Sequence, residues 1–250
     1  MEKNPKLKKA GAILFLLAIW QAGAMAMNQK LLLVSPADVV LRLCTIWKEP
    51  LFFDSVLFSF LRISCGFLLG FFSGIFLAFL AGRFHTAETL LQPIMTTIKS
   101  VPVASFIILA LIWLNSSGLS TFISFLMVLP VIYNNVLSGI KNTDPKLLQM
   151  AEVFRMPKRK RFLLIYLPAI KPQLTSACST ALGLSWKSGI AAEVIGIPQG
   201  SIGEMLYQAK IYLNTVDVFA WTVIIVLISV LFEKLILFLI RLSYEKLEQN

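Results

Sequence analysis

Apolar residues in this chain come in long runs instead of alternating with polar ones. Six runs approach the roughly twenty helical residues that cross a hydrocarbon layer: about 10–27, 63–81, 91–114, 119–137, 170–190 and 218–240. The pattern predicts one all-α integral membrane domain over residues 1–250, with about six transmembrane helices. The third run is interrupted by "KSVP", where Pro102, lacking an N–H, is expected to kink or break the helix. Within the second run Gly66, Gly70 and Gly74 recur every four residues. That spacing lets helix backbones approach closely in lipid, although glycines are also simply tolerated there.

The segments between the runs carry their own punctuation. In "VSPADVV", Ser35 suits an N-cap and Pro36 a first helical position. Val39, Val40, Leu43 and Ile46 then follow at helical spacing, which predicts an amphipathic helix at the outer surface. The first run follows Lys3, Lys6, Lys8 and Lys9 and contains "AGA", so it reads as a signal peptide or as a first membrane helix. Its length and the spans behind it favour a retained helix. After the fifth run, "GIPQGSIGEMLYQAKIYLNT" is too polar to span and predicts an outer loop with a short helix from about Ile202 to Tyr212.

Composition agrees with a membrane class: 57% of residues are hydrophobic and 14% charged, against roughly a quarter charged in soluble domains. The net charge of +10 would suggest nucleic acid in a soluble protein. Here basic residues retained in cytoplasmic loops explain it, and no nucleic-acid partner is expected. The N-terminal lysines, Arg83, Lys141, Lys146, Arg155, Lys158, Arg159, Lys160, Arg161, Lys171, Arg241 and Lys246 all fall on one side of a six-span topology. The other side has Lys30, Arg42, Lys48 and Lys210, offset by Asp38, Glu49, Asp54, Glu204 and Asp217. Both termini are therefore expected in the cytoplasm. Cys44, Cys65 and Cys178 form no disulfide or metal pattern, and His85 stands apart from any ligand cluster, so no metal site is expected.

The loop at 143–168 is too structured for a spacer. Thr143 or Asp144 suits an N-cap, Pro145 a first position, and Leu147, Met150, Ala151 and Phe154 make one apolar stripe. Glu152 and the cluster "KRKRF" flank that stripe, and Pro157 marks the helix end. A short amphipathic helix of this kind can lie on anionic headgroups, cover its own bundle or dock into a soluble partner.

The spacing resembles the cytoplasmic EAA loop of ABC importer permeases: Glu-Ala-Ala, three residues, Gly, nine residues, Ile, one residue, Leu-Pro. Registering the final pair on Leu167 and Pro168 puts the isoleucine on Ile165, the glycine on Arg155 and the triplet on Gln149, Met150 and Ala151. The stretches "LLQPIMTTIKSVPVASFIILALIWL" and "LGLSWKSGIAAEVIG" resemble the nitrate, taurine and aliphatic-sulfonate branch of that family. The resemblance implies a coupling helix between spans four and five and docking to cytoplasmic ATPase subunits. It further implies a second permease subunit, most simply as a homodimer, an extracytoplasmic substrate-binding protein, and a plasma (inner) membrane location. ATP and Mg would be bound by the partner ATPase and no cofactor by this chain, making it a non-catalytic subunit. Leu147, Met150, Ala151 and Phe154 would fill the ATPase groove, with Gln149, Glu152 and Arg155 around it. Pro157 would supply the turn that glycine gives elsewhere.

Ionisable residues in or near spans are path candidates: Lys99 beside the Pro102 break, with Lys187 and Glu193 bracketing the outer end of the fifth span. No Gly-x-x-x-x-Gly-Lys loop is present to cradle phosphates. A secondary transporter and a membrane enzyme are the rival classes. The first would want paired broken helices, the second a nucleophile–base pair or metal cluster within the bilayer.

Overall fold

The computed structural model describes residues 5–27 and 33–248, without the side chains of residues 5–10, 13, 243 and 245–248. Lys3 and Lys30, and the side chains of Lys6, Lys8, Lys9 and Lys246, lie outside the described residues. The described chain is helical with no strand. In order, its helices are α1 (Pro5–Met27), α2 (Pro36–Ile46), α3 (Phe52–Arg83), α4 (His85–Ser100), α5 (Val103–Trp113) and α6 (Ser116–Lys141). They continue with α7 (Pro145–Val153), α8 (Lys158–Arg161), a π-helical turn (Phe162–Tyr166), α9 (Leu167–Gly196), α10 (Ile202–Ile211) and α11 (Thr215–Glu248).

The centre of the bundle is α6, packed along its length between α3 and α9. Glycine makes the first of these interfaces possible. A Cβ at Gly66 would lie 2.8 Å from the Ser124 Cβ, one at Gly70 2.8 Å from the Val128 Cβ, and one at Gly74 2.9 Å from the Ile132 Cβ. The four-residue repeat therefore marks a seam where only a missing side chain lets the backbones meet. Deeper in, buried Trp186 of α9 meets Phe60 of α3 and Phe232 of α11. The outward faces of α3 and α11 expose Leu69, Phe72, Phe76, Leu227, Leu231 and Phe238, the surface expected of helices solvated by lipid.

Three helices among the described residues are long and apolar enough to cross a membrane: α3, α6 and residues 215–242 of α11. The pair α4–α5 passes the same test but bends by 105° at its break. The expected single span 91–114 is therefore two helices meeting at Val101–Pro102, with Pro102 as the N-cap of α5. Local partners satisfy the freed backbone: Val101 N–H donates to the Thr97 carbonyl, and Ser105 N–H to the Pro102 carbonyl. α9 has length enough but is diluted by Ser, Thr, Lys171, Lys187 and Glu193, because one face packs on α6 and another is open.

Contacts sort the helix ends into two poles. The ends of α3 and α6, the starts of α4 and α9, and the end of α11 meet at one. There Lys141 pairs with Glu88, a Cβ on Gly139 would lie 3.1 Å from the Ile170 Cα, and Lys171 lies over the Tyr244 ring. At the other, Arg42 of α2 pairs with Glu49 and Asp217. The hydrogen bond to Asp217 holds this guanidinium above its ordinary pKa. Also at this pole, Arg62 donates to the Ser117 carbonyl. α2 carries the Ser35 cap and buries Val39 and Ile46, while Val40 is exposed.

Candidate functional site

The loop after α6 builds a projecting knob. Asp144 is its N-cap, its carboxyl accepting from the Lys146 N–H at 2.8 Å, with Pro145 next in the first turn. Thr143 instead turns inward, buried, its hydroxyl donating to the Gly139 carbonyl. α7 stops at Val153, four residues before Pro157. Arg155 supplies the stop with a φ of 46°, the left-handed region that favours glycine. Across it the Met156 N–H donates to the Ala151 carbonyl at 2.8 Å. The turn assigned to Pro157 by the sequence is therefore made at Arg155 itself, and Pro157 becomes the N-cap of α8.

The apolar stripe is also redistributed. Ala151 is only 2% exposed and faces the protein, as does Ile165; these are the two interior positions of the motif that this chain matches. The projecting apolar surface is Leu147, Met150, Val153 (79% exposed) and Phe154 (75% exposed). Val153 was missed because it sits off the i, i+3, i+4, i+7 track; the end of the helix one residue later turns it outward. Gln149, Glu152 and Arg155 surround this surface and are exposed. α7 packs extensively against no other helix.

Beyond α8 the chain re-enters the bundle through the π-helical turn, where the Leu167 N–H donates five residues back to the Phe162 carbonyl. Pro168 explains the wider turn. It has no N–H to return to Leu164, and its ring would clash with that carbonyl in a regular α-helix. Leu167 is half-buried and Pro168 exposed at this junction.

The path candidates separate. Lys99, in the last turn of α4, and Pro102 beside it are exposed. Lys99 belongs to a larger polar face that sequence reading did not assemble: Thr89, Gln92, Thr96, Lys99 and Ser100 recur along one side of α4, all exposed. Thr96 and Ser100 return their hydroxyls to the carbonyls of Gln92 and Thr96, which lets a polar row persist in apolar surroundings. Lys187 likewise ends an open row on α9 with Ser176, Thr180 and Gly183. The three- and four-residue spacing in "TLLQPIMTTIKS" and "SACSTALGLSWK" was the available signal.

Glu193 is different. It is fully buried, with Oε2 accepting from the Ser59 hydroxyl at 2.6 Å and from the Gly203 N–H at 3.3 Å. Ser59 in turn accepts from the Ile202 N–H at 2.9 Å. The side chain ties the start of α10 to α3 and α9, and so it is a latch closed off from solvent instead of a lining group. Gly203 fits because a Cβ there would lie 2.5 Å from the Glu193 carbonyl carbon.

The chain is similar to known proteins in sequence and in fold. The family model described as "Binding-protein-dependent transport system inner membrane component" matches residues 66–249. The chain is 27% identical to the "Putative aliphatic sulfonates transport permease protein SsuC" of Bacillus subtilis, across 96% of this chain and 90% of that one. It is 25% identical to the taurine transport system permease protein TauC of Escherichia coli, covering 89% of this chain and 83% of that one. It is 27% identical to the nitrate import permease protein NrtB of Synechococcus elongatus, covering 83% and 79%. The fold matches a crystal structure of an amino acid ABC transporter with histidines, at a TM-score of 0.60 and 18% identity, over 82% of this chain and 97% of that one.

Proposed function

We propose, from the premise that this chain belongs to the binding-protein-dependent transport system inner membrane components, that the knob on α7 is where a separate cytoplasmic ATPase grips it. The chain is a permease component of an ABC importer. One observation carries the docking reading: Leu147, Met150, Val153 and Phe154 project apolar surface from a locally capped helix that seats only its Ala151 side and, among the described residues, packs extensively against no other helix. Exposed apolar clusters with polar rims are what helix-in-groove docking uses. Gln149, Glu152 and Arg155 form that rim and tune orientation more than affinity.

The basic pole is assigned to the cytoplasm, because Arg83, Lys141, Lys146, Lys158, Arg159, Lys160, Arg161 and Lys171 gather around it. Six spans then follow: α1, α3, the bent α4–α5 pair, α6, α9 and α11, with both termini cytoplasmic in a plasma (inner) membrane. Two copies of the permease enclose the path, and the substrate-binding protein meets the opposite pole around α2 and α10. Nucleotide and Mg belong to the ATPase. When its subunits close on ATP, the knob is carried with them. The pull passes through α6 on one side and the π-helical turn into α9 on the other. ATP drives the cycle only through different affinity for the two bundle arrangements. The polar rows ending in Lys99 and Lys187 line the path. Their cations, and relatives named for sulfonates, taurine and nitrate, support a small oxyanion as cargo.

A photo-crosslinker at Phe154 tests this in cells. Adducts to an ATPase subunit are expected there and not from Phe53, exposed at the opposite pole. Labelling of a Val153→Cys variant, made in a background where the free Cys44, Cys65 and Cys178 are replaced by serine, by a membrane-impermeant maleimide from outside intact cells would refute the orientation and the docking together.

A further inference from the structure

We propose that the basic pole carries a built site for one anionic phospholipid, with the headgroup between α3 and α8 and an acyl chain along α3 and α9. The headgroup part is a cleft of about 510 Å³ where Arg83, Lys158 and Arg161 converge above Phe79 and Phe162. Among the described residues no acidic one lines it. The Nε of Arg161 is shielded from solvent yet has no hydrogen-bond partner among the described residues. A guanidinium N–H left so is costly unless an acceptor completes it, and phosphate is the acceptor its planar fork suits. The floor is fixed by the Phe79–Phe162 ring contact, centroids 5.5 Å apart.

The second part is a separate groove of about 360 Å³ lined almost wholly by carbon, including Leu68, Phe71, Phe72, Leu167, Leu174 and Ile240. The two are parts of one surface. Phe71, Phe72, Phe79, Gly82 and Arg83 fall within one half of the α3 circumference at 100° per residue. From Phe72 to Phe79 the helix climbs about 10 Å. On the facing wall Tyr166 borders the cleft and its neighbour Leu167 borders the groove. A charged head continuous with an apolar trough of chain width fits a phospholipid. An acidic protein segment or free phosphate would satisfy the cations and leave the trough unused. The occupant would sit against the π-helical turn, between the knob and α9, where it braces the element that transmits movement. The leaflet, the cytoplasmic one, and the transmitted movement rest on the proposed function; the site itself does not.

The test uses the full chain, extracted with whatever ATPase accompanies it, placed in nanodiscs of phosphatidylcholine with a graded share of phosphatidylglycerol. Lipid retained on the protein is read by native mass spectrometry. Preferential retention of one phosphatidylglycerol is expected. It should fall about fivefold for each of Arg83→Gln, Lys158→Gln and Arg161→Gln, and not for Lys160→Gln, an exposed cation outside the cleft. Leu68→Trp, which narrows the groove and leaves every cation in place, should lower retention as well. Glycerol phosphate and inorganic phosphate should compete only at far higher concentration. Equal retention of both lipids, an equal loss with Lys160→Gln, or competition by inorganic phosphate as strong as by the lipid would each overturn the site. So would protection of Arg161 by the ATPase instead of by lipid. Retention is read on the permease itself, so failure here leaves the docking of α7 untouched, and failure of docking leaves the retention assay intact.

Discussion

Replacing Phe154 with alanine separates docking from folding. The ring is 75% exposed in the chain, so its removal takes little from the permease's own core. Fully burying such a side chain is worth about 1.5–3 kcal/mol. Covering the three quarters still exposed gives roughly 1–2 kcal/mol, or about a fivefold to thirtyfold change in dissociation constant. The permease's own stability should move by less than about 0.5 kcal/mol. The assay titrates the purified ATPase subunit onto permease in nanodiscs, alongside thermal melting of the permease alone. Phe53→Ala, at a residue 65% exposed at the opposite pole, is the control and should change neither reading. Unchanged affinity in Phe154→Ala would refute the reasoning. So would a melting temperature that falls in step with affinity, since that would make the ring an internal contact. Ala151 is the wrong position for this experiment: it faces the protein, and a bulky charge there would unseat α7 before any partner is involved.

Other consequences are as direct. Arg155→Gly should relieve a left-handed backbone cost of about 1 kcal/mol and raise hydrogen-exchange protection at Met156 several-fold; lower protection would mean that the turn is not limited by backbone strain. Gly203→Ala should force α10 away from Glu193 and destabilise the chain by about 2–3 kcal/mol, visible as a lower melting temperature, and an unchanged melt would show that α10 is loosely seated. Lys99→Gln and Lys187→Gln together should slow uptake of an oxyanion substrate about tenfold or more without reducing ATPase recovery; full uptake would remove the polar rows from the path.

Much of the molecule was legible in residue order because membrane helices are specified locally. Each must close its own backbone hydrogen bonds in lipid, so run length, Pro102 and the Pro36 and Pro145 starts declare themselves without knowledge of neighbours. The glycine spacing on α3 allowed a close seam or mere tolerance of glycine, and only the packing of α6 against it decided for the seam. The loop after α6 declared its cap and stripe for the same local reason. What the sequence left open depends on direction and distance between segments far apart in the chain. Ala151 and Phe154 sit on one predicted stripe, yet one is buried and the other projects, because packing rotates α7 and a left-handed Arg155 ends it early. Glu193 reads as a charge near a span until Ser59, 134 residues earlier, and the start of α10 close around it. The two rows ending in Lys99 and Lys187 matter only because tertiary packing leaves those faces open, and no local pattern states which face a neighbour will cover.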